Sequence, residues 1–201
     1  VVGQCTAEGL GDWFHKFSTQ ASSNYGIDRN GRVGLYVEEK NRSWCTSSNA
    51  NDQRAVTIEC ASDKAEPYAM HQVVYDRLID LCEDICRRNG KKKLLWFGDK
   101  NKSLNYQPKA DEMLITVHRW FANKSCPGDW LYARLGDLAA KVTSRLGSGN
   151  VEVIPSGMQA REFRNLTEAQ VVAKVGALFT ADQKKSGILA SVSMAQFILE
   201  S

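Results

Sequence analysis

The chain reads as an α/β protein, a central mixed β-sheet flanked by helices. Three features carry that reading: apolar residues recurring at helical spacing in separate stretches, short alternating runs between them, and an Asn30-Gly31 hairpin signal joining two strands. Thr6 can cap a first helix whose Leu10, Trp13, Phe14 and Phe17 share a stripe, with His15 pointing away from it. Strands follow near 24–28 and 32–38, and the tolerance of Asn30-Gly31 for positive φ makes a hairpin of them. A loop rich in Asn and Ser leads to an alternating run over 54–60. It puts Val56, Ile58 and Cys60 on one face and Ala55, Thr57 and Glu59 on the other. The helix predicted over 67–88 buries Met70, Val74, Leu78, Leu81, Cys82 and Ile85 and ends at Asn89-Gly90. Next come a short apolar strand over 94–97, a polar surface excursion over 98–111, and a strand burying Met113, Ile115 and Val117 that ends at His118. Asp129 can cap a last helix carrying Leu131, Leu135, Leu138, Val142 and Leu146, which Gly147-Ser-Gly149 stops.

That stop reads as a domain boundary. Residues 1–146 form the first domain, 147–165 a linker of small and polar residues, and 166–201 the start of a second, helical one. Thr167 and Gln170 have the spacing of a capping box, and Val171, Val172, Val175, Leu178 and Phe179 line the helix it opens.

With 201 residues, 43% of them hydrophobic and 24% charged, the chain has material for one full core and part of another. The net charge of +3 is too mild to imply nucleic acid, and Lys91-Lys-Lys93 reads as a solvated turn. No apolar run approaches the roughly 18–20 residues needed to cross a bilayer, so no membrane partner is expected, and a monomer is. There is no signal-peptide pattern, while the start at Val1 rather than Met suggests sequence upstream. Neither a phosphate loop nor a dinucleotide fingerprint is present, which argues against nucleotide chemistry. Of the six cysteines, Cys82 and Cys86 lie four apart on a helix, and Cys5, Cys45, Cys60 and Cys126 lack the dense spacing of a disulfide framework. Five read as buried or inert thiols and one, Cys126, as a ligand.

His118 and Cys126, with Lys124 between them and Pro127-Gly128 after them, are the most informative residues. They read as half of a catalytic zinc site, because zinc accepts imidazole nitrogen and thiolate sulfur together and a catalytic site takes three protein ligands with one position open. By themselves a strand-end histidine is more often a surface hydrogen-bonding residue and a lone cysteine a small buried hydrophobe. A closed structural zinc site would want four ligands, which the sequence does not supply.

The segment His118-Arg-Trp-Phe-Ala-Asn-Lys124-Ser-Cys126-Pro-Gly128 resembles the zinc motif of the type 2 N-acetylmuramoyl-L-alanine amidases, the family of endolysins, autolysins and peptidoglycan recognition proteins. Two further blocks are similar to the same family: Ser22-Ser-Asn-Tyr-Gly-Ile27 running into Asp28-Arg-Asn-Gly31, and Ser47-Ser-Asn-Ala-Asn-Asp-Gln-Arg-Ala-Val-Thr-Ile-Glu59, where the family's strand ends in an active-site carboxylate. The resemblance implies the amidase type 2 fold with Zn2+ held by His118 and Cys126, Glu59 as general base and Lys124 facing the developing oxyanion. It also implies that the family's first zinc histidine, on a first strand, falls at or just before Val1, so an N-terminally truncated domain is expected. Some branches use a tyrosine base, and Tyr25 ranks behind Glu59 for that role. Spacing alone would make Glu59 a surface glutamate and Lys124 a solvated loop cation.

The implied activity is hydrolysis of the amide between N-acetylmuramic acid and L-alanine in peptidoglycan, at the bacterial cell wall, by a secreted protein or one released during phage lysis. The alternative is a non-catalytic peptidoglycan-binding module of the same fold. Farther on, residues 181–201 resemble the opening of an endo-β-N-acetylglucosaminidase domain, whose general acid would be Glu200. With the chain ending one residue later, Glu200 reads here as a solvated residue at a helix end.

Overall fold

The computed structural model describes residues 2–147 and a few positions between Thr167 and Gly176. The chain divides into two units, Val1–Gly149 and Asn150–Ser201. The first runs α1 (Ala7–His15), β1 (Tyr25–Ile27), β2 (Val33–Leu35), α2 (Asn49–Asp52), β3 (Ile58–Cys60), α3 (Gln72–Arg88), β4 (Lys93–Leu95), α4 (Lys100–Asn105), β5 (Glu112–Leu114), α5 (Asp129–Tyr132) and α6 (Leu135–Gly147), with 3-10 turns at Phe17–Thr19 and His118–Trp120. The sheet is mixed: β1 lies between β2, antiparallel to it, and β3, parallel to it. A second, two-stranded parallel ladder joins β4 to β5. The expected α/β class therefore holds, with the strands divided between two ladders.

The hairpin forms in the register Tyr25↔Leu35, Gly26↔Gly34, Ile27↔Val33. Its turn is built by a residue the Asn-Gly signal does not reveal. The Asp28 side chain, 1% exposed, accepts hydrogen bonds from the backbone N–H groups of Asn30 (2.8 Å) and Arg32 (2.9 Å) and from Arg32 Nε (3.0 Å). Gly31, at φ 80°, completes the reversal. Burial alone would raise the Asp28 carboxyl, but the donors from Arg32, Asn30 and Ala7 outweigh it and hold it below the ordinary value. Its contribution is therefore full above the unfolded carboxylate value of about 3.9 and lost as pH falls through the lower folded value. Asp28→Asn is expected to cost about 1–3 kcal/mol at neutral pH and to flatten the loss of stability below pH ~4. Urea unfolding of both proteins at neutral and acid pH measures the two effects.

Three helices depart from their sequence reading. Thr6 does cap α1, accepting from Gly9 N at 3.1 Å. The buried stripe is narrower than expected, however: Leu10 is buried, Phe14 packs edge-on against Tyr36 at 5.4 Å, and Trp13 and Phe17 are 45% and 91% exposed. Lys16, with extended backbone at φ -73° and ψ 122°, ends the helix before Phe17 and takes that ring off the stripe. The long helix begins at Gln72 rather than at Pro67, because 63–69 closes on itself through Asp63 N to Ala69 O (2.8 Å) and Tyr68 N to Ala65 O (2.8 Å). The predicted last helix is two. Gly128, not Asp129, is the cap of α5; its φ of 81° and a Cβ position 2.7 Å from the Pro67 carbonyl oxygen exclude a side chain.

The core lies between α3, α6 and the β4–β5 ladder. Val74, Leu78, Ile79, Leu81 and Ile85 of α3 and Leu135, Leu138 and Val142 of α6 are all buried, and the two helices pack on each other. The polar stretch after β4 contains α4, capped by Asp99 accepting from Lys102 N at 2.6 Å. Among the described residues no helix is long and apolar enough to cross a membrane. In the second unit Thr167 and Gln170 form the reciprocal capping box, with Thr167 N donating to Gln170 Oε1 (2.8 Å) and Gln170 N to Thr167 Oγ1 (3.4 Å). The linker, the rest of that apolar stripe, the 181–201 segment and Glu200 lie outside the described residues.

Candidate metal and catalytic site

A cavity of about 950 Å³ opens between the two ladders, walled by β3 and the residues before it, by β5 and the residues after it, and by α3. Glu59, His118 and Cys126 all stand on its wall, joined by Cys45. They reach it from separate parts of the chain.

His118 is not the end of a strand, as its alternating approach suggests. Strand β5 stops at Leu114, and His118 opens a 3-10 turn in which its carbonyl accepts from Phe121 N at 2.9 Å. The turn is pinned by Trp120, buried and stacked on Trp96 with centroids 5.1 Å apart and 2° between planes. His118 Nε2 is buried and has no hydrogen-bond partner. Burial holds the imidazole below its ordinary pKa against the opposing charge of Glu59, and Lys124 adds to the lowering. The neutral ring is the form that offers a lone pair.

Cys126 returns to His118 through Arg119, a residue sequence reasoning did not single out. Arg119 N donates to the Cys126 carbonyl at 2.9 Å, its Nε and Nη2 donate to the Ser125 carbonyl, and its Nη1 pairs with Asp129 at 2.9 Å. The 119–126 loop is thus closed by one guanidinium, whose planar fork suits a carbonyl and a carboxylate at once. Burial raises the Cys126 thiol, and the Glu59 charge acts in the same sense. Lys124, by contrast, is exposed and absent from the cavity wall.

Glu59 sits on β3, half-buried, with the Cys45 thiol 3.9 Å from its Oε1. The alternation expected over 54–60 fails at Thr57, which is buried rather than open, because a polar network claims it. Asn24, fully buried, accepts from Thr57 N at 2.9 Å through Oδ1, while its Nδ2 reaches the carbonyls of Val37 and Glu38, each at 3.1 Å. One side chain thereby fixes both the approach to Glu59 and the 37–41 loop. Asn24→Ala leaves several buried backbone groups without partners and is expected to cost about 2–4 kcal/mol, read by urea unfolding.

A buried carboxylate performs the same service on the other side. Asp52 accepts from Cys45 N and Thr46 N, both at 3.2 Å, and from Thr46 Oγ1 at 2.6 Å. Its helix neighbour Asn51 accepts from Thr116 Oγ1 at 3.0 Å, which ties α2 to the segment leading to His118. Tyr25 stands elsewhere: it is buried, its hydroxyl donates to Glu39 at 2.8 Å and accepts from Arg88 at 3.3 Å, and it is not on the cavity wall. Burial pushes its pKa well above the ordinary phenol value, which keeps the hydroxyl protonated, with no phenolate to take up a proton.

Imidazole nitrogen and thiol sulfur on one wall, the nitrogen buried without a partner, are donors suited to zinc. Among the described residues no three His, Cys, Asp or Glu side chains group closely enough to hold a metal ion by themselves. A family model described as N-acetylmuramoyl-L-alanine amidase matches residues 2–129, which takes in every one of these wall positions up to Cys126. No curated protein and no solved structure matches the chain.

Proposed function

The chain belongs to the N-acetylmuramoyl-L-alanine amidase family, and from that premise we propose that it is a zinc hydrolase cutting the amide between N-acetylmuramic acid and L-alanine in peptidoglycan. The observation that carries the metal part of this reading is the buried, partnerless Nε2 of His118 on the same cavity wall as the Cys126 thiol and the Glu59 carboxylate. His118 and Cys126 are the residues that would hold Zn2+. Zinc, when bound, supplies Lewis acidity, polarising the scissile carbonyl and acidifying water beside it. Glu59 takes the proton of the attacking water and passes it to the leaving nitrogen of L-alanine. Lys124, on the loop between the two ligands, swings its exposed cation toward the oxygen that gains negative charge; loss of such a donor costs on the order of 10²–10³ in rate. The net charge of +3 suits an anionic bacterial wall, where the protein acts. The reading extends to residues 166–201 as the start of a glucosaminidase-like domain with Glu200 as its candidate general acid.

The test is incubation with purified cell walls. Release of new N-terminal L-alanine, abolished by a chelator and restored by zinc, is the expected result. A recognition module of the same fold is the second reading, favoured by the lack of a three-ligand group among the described residues. Binding to walls with zinc present and no release of L-alanine would replace the first reading with the second.

A further inference from the structure

We propose that Arg119 is the positioning residue for the metal ligand Cys126: the two donors it places on the Ser125 carbonyl set how tightly the site holds zinc, while the fold barely depends on them. The inference rests on the zinc reading above and assigns to this chain a determinant of its metal affinity. Arg119 takes hold of both peptide units that meet at Cys126. On the side before Cys126, Arg119 Nε donates to the Ser125 carbonyl at 3.1 Å and Nη2 donates to the same oxygen. On the side after it, Arg119 N donates to the Cys126 carbonyl at 2.9 Å. The backbone's freedom at Cys126 lies in the two dihedrals between those planar units, so fixing both planes fixes the direction of its Cα–Cβ bond. Arg119 also follows His118 directly in the chain, which refers both candidate ligands to one anchor.

The loop depends on these bonds because burial does little for it: Asn123, Lys124 and Ser125 are all exposed. The guanidinium is itself aimed from the far side. Its carbon lies 4.9 Å from the centroid of the Tyr132 ring, and Nη1 pairs with Asp129 at 2.9 Å. Tyr132 is held in turn, its hydroxyl donating to the Gly98 carbonyl at 3.0 Å and its ring meeting Trp96 edge-on at 5.2 Å. Trp96 stacks on Trp120, the residue that pins the His118 turn. One block of rings therefore sets the turn that presents His118 and seats the cation that orients Cys126. The Asp129 side chain is 75% exposed, so its ion pair is screened by solvent and adds little to folding stability. Metal affinity responds differently, because a ligand already oriented loses little freedom on binding, and hydrogen-bond partners behind the ligands commonly govern affinity by about 10–100-fold.

The experiment is zinc competition against a chromophoric chelator, with cobalt(II) absorption as a second readout and Cys126→Ser as the blank that isolates the charge-transfer band of the Cys126 thiolate. Arg119→Gln is expected to lose about 10–100-fold in zinc affinity and most of that cobalt band, with the unfolding midpoint of the metal-free protein close to that of the unchanged chain. Arg119→Lys, which keeps the charge and loses the planar fork, should fall between. Asp129→Asn leaves both donors on the Ser125 carbonyl and should stay within about threefold of the unchanged chain. Asp28→Asn, in the hairpin turn and off the cavity wall, should lose stability and keep its zinc affinity, which separates a loosened fold from a misplaced ligand. Undiminished affinity in Arg119→Gln, or a loss matched by Asp28→Asn or Asp129→Asn, overturns the assignment. A midpoint of Arg119→Gln lowered as far as that of Asp28→Asn makes Arg119 a structural residue and overturns it as well. Failure of the unchanged chain to bind zinc at all overturns the zinc reading instead.

Discussion

Cys126→Ser is expected to remove zinc retention and wall cleavage together. Serine keeps the size of the side chain within a single atom, so the loop closed by Arg119 has no steric reason to move, and its hydrogen bonds to the Cys126 and Ser125 carbonyls are made by backbone oxygens the substitution leaves intact. What changes is the donor: a thiol that ionises on meeting a metal is exchanged for a hydroxyl that does not. Burial and the Glu59 charge both raise the Cys126 thiol, so the metal-free protein holds it protonated and zinc uptake must release a proton. Apparent zinc affinity should therefore rise with pH in the unchanged protein, and much less in Cys126→Ser. Competition against a chromophoric chelator should show affinity falling on the order of 10²-fold or more in the variant, with unfolding midpoints of the two metal-free proteins close together. Undiminished zinc binding by Cys126→Ser would remove Cys126 from the ligand set whatever its effect on activity.

The gap between sequence and structure is instructive in where it falls. Elements defined by apolar period or by turn chemistry are legible: the stripe of α3 depends on burial, which repeats along a chain, and the β1–β2 hairpin on the backbone freedom of its Asn30-Gly31 turn. Boundaries are not, because they are set by single tertiary bonds. Pro67 reads as a helix start, but a closed turn from Asp63 to Ala69 uses it, and the Pro67 carbonyl packs against Gly128 and accepts from Trp130 N at the start of α5. His118 looked like a strand end because Met113, Ile115 and Val117 alternate; the ladder stops at Leu114 and a 3-10 turn presents the ring instead.

The residues that support the candidate site were the least legible. Asn24, Asp52 and Arg119 are polar residues in loops or short elements, where sequence reasoning assigns solvent by default. Their burial or multiple bonding follows from backbone groups 6 to 33 positions away, as in Arg119 to Ser125 and Asn24 to Thr57. Only the motif blocks hinted at them: Asn24 lies in the Ser22–Ile27 block and Asp52 in the Ser47–Glu59 block. In those blocks Tyr25 and Glu59 stand out, as the residues that could carry a proton. The structure separates the two. Tyr25 is tied up by Glu39 and Arg88 away from the cavity, whereas Glu59 stands on its wall.

That separation sets up the second large effect. Glu59→Gln keeps the length and shape of the side chain and an oxygen to accept from Cys45, while removing the chemistry a general base needs, a carboxylate oxygen that can take up a proton. His118 and Cys126 are untouched, so zinc affinity and binding to purified walls should stay within about a few-fold of the unchanged protein, and turnover should fall by about 10²–10⁴. A loss in kcat and kcat/KM alike, with substrate binding retained, identifies a contribution made only as the bond breaks. If turnover falls only because wall binding falls, Glu59 is a contact for the substrate and the base is another group. If Glu59→Gln cleaves at the original rate, Glu59 has no part in proton transfer, and Tyr25 becomes the residue to change, although its hydroxyl would first have to leave the Glu39–Arg88 network that now holds it in the core.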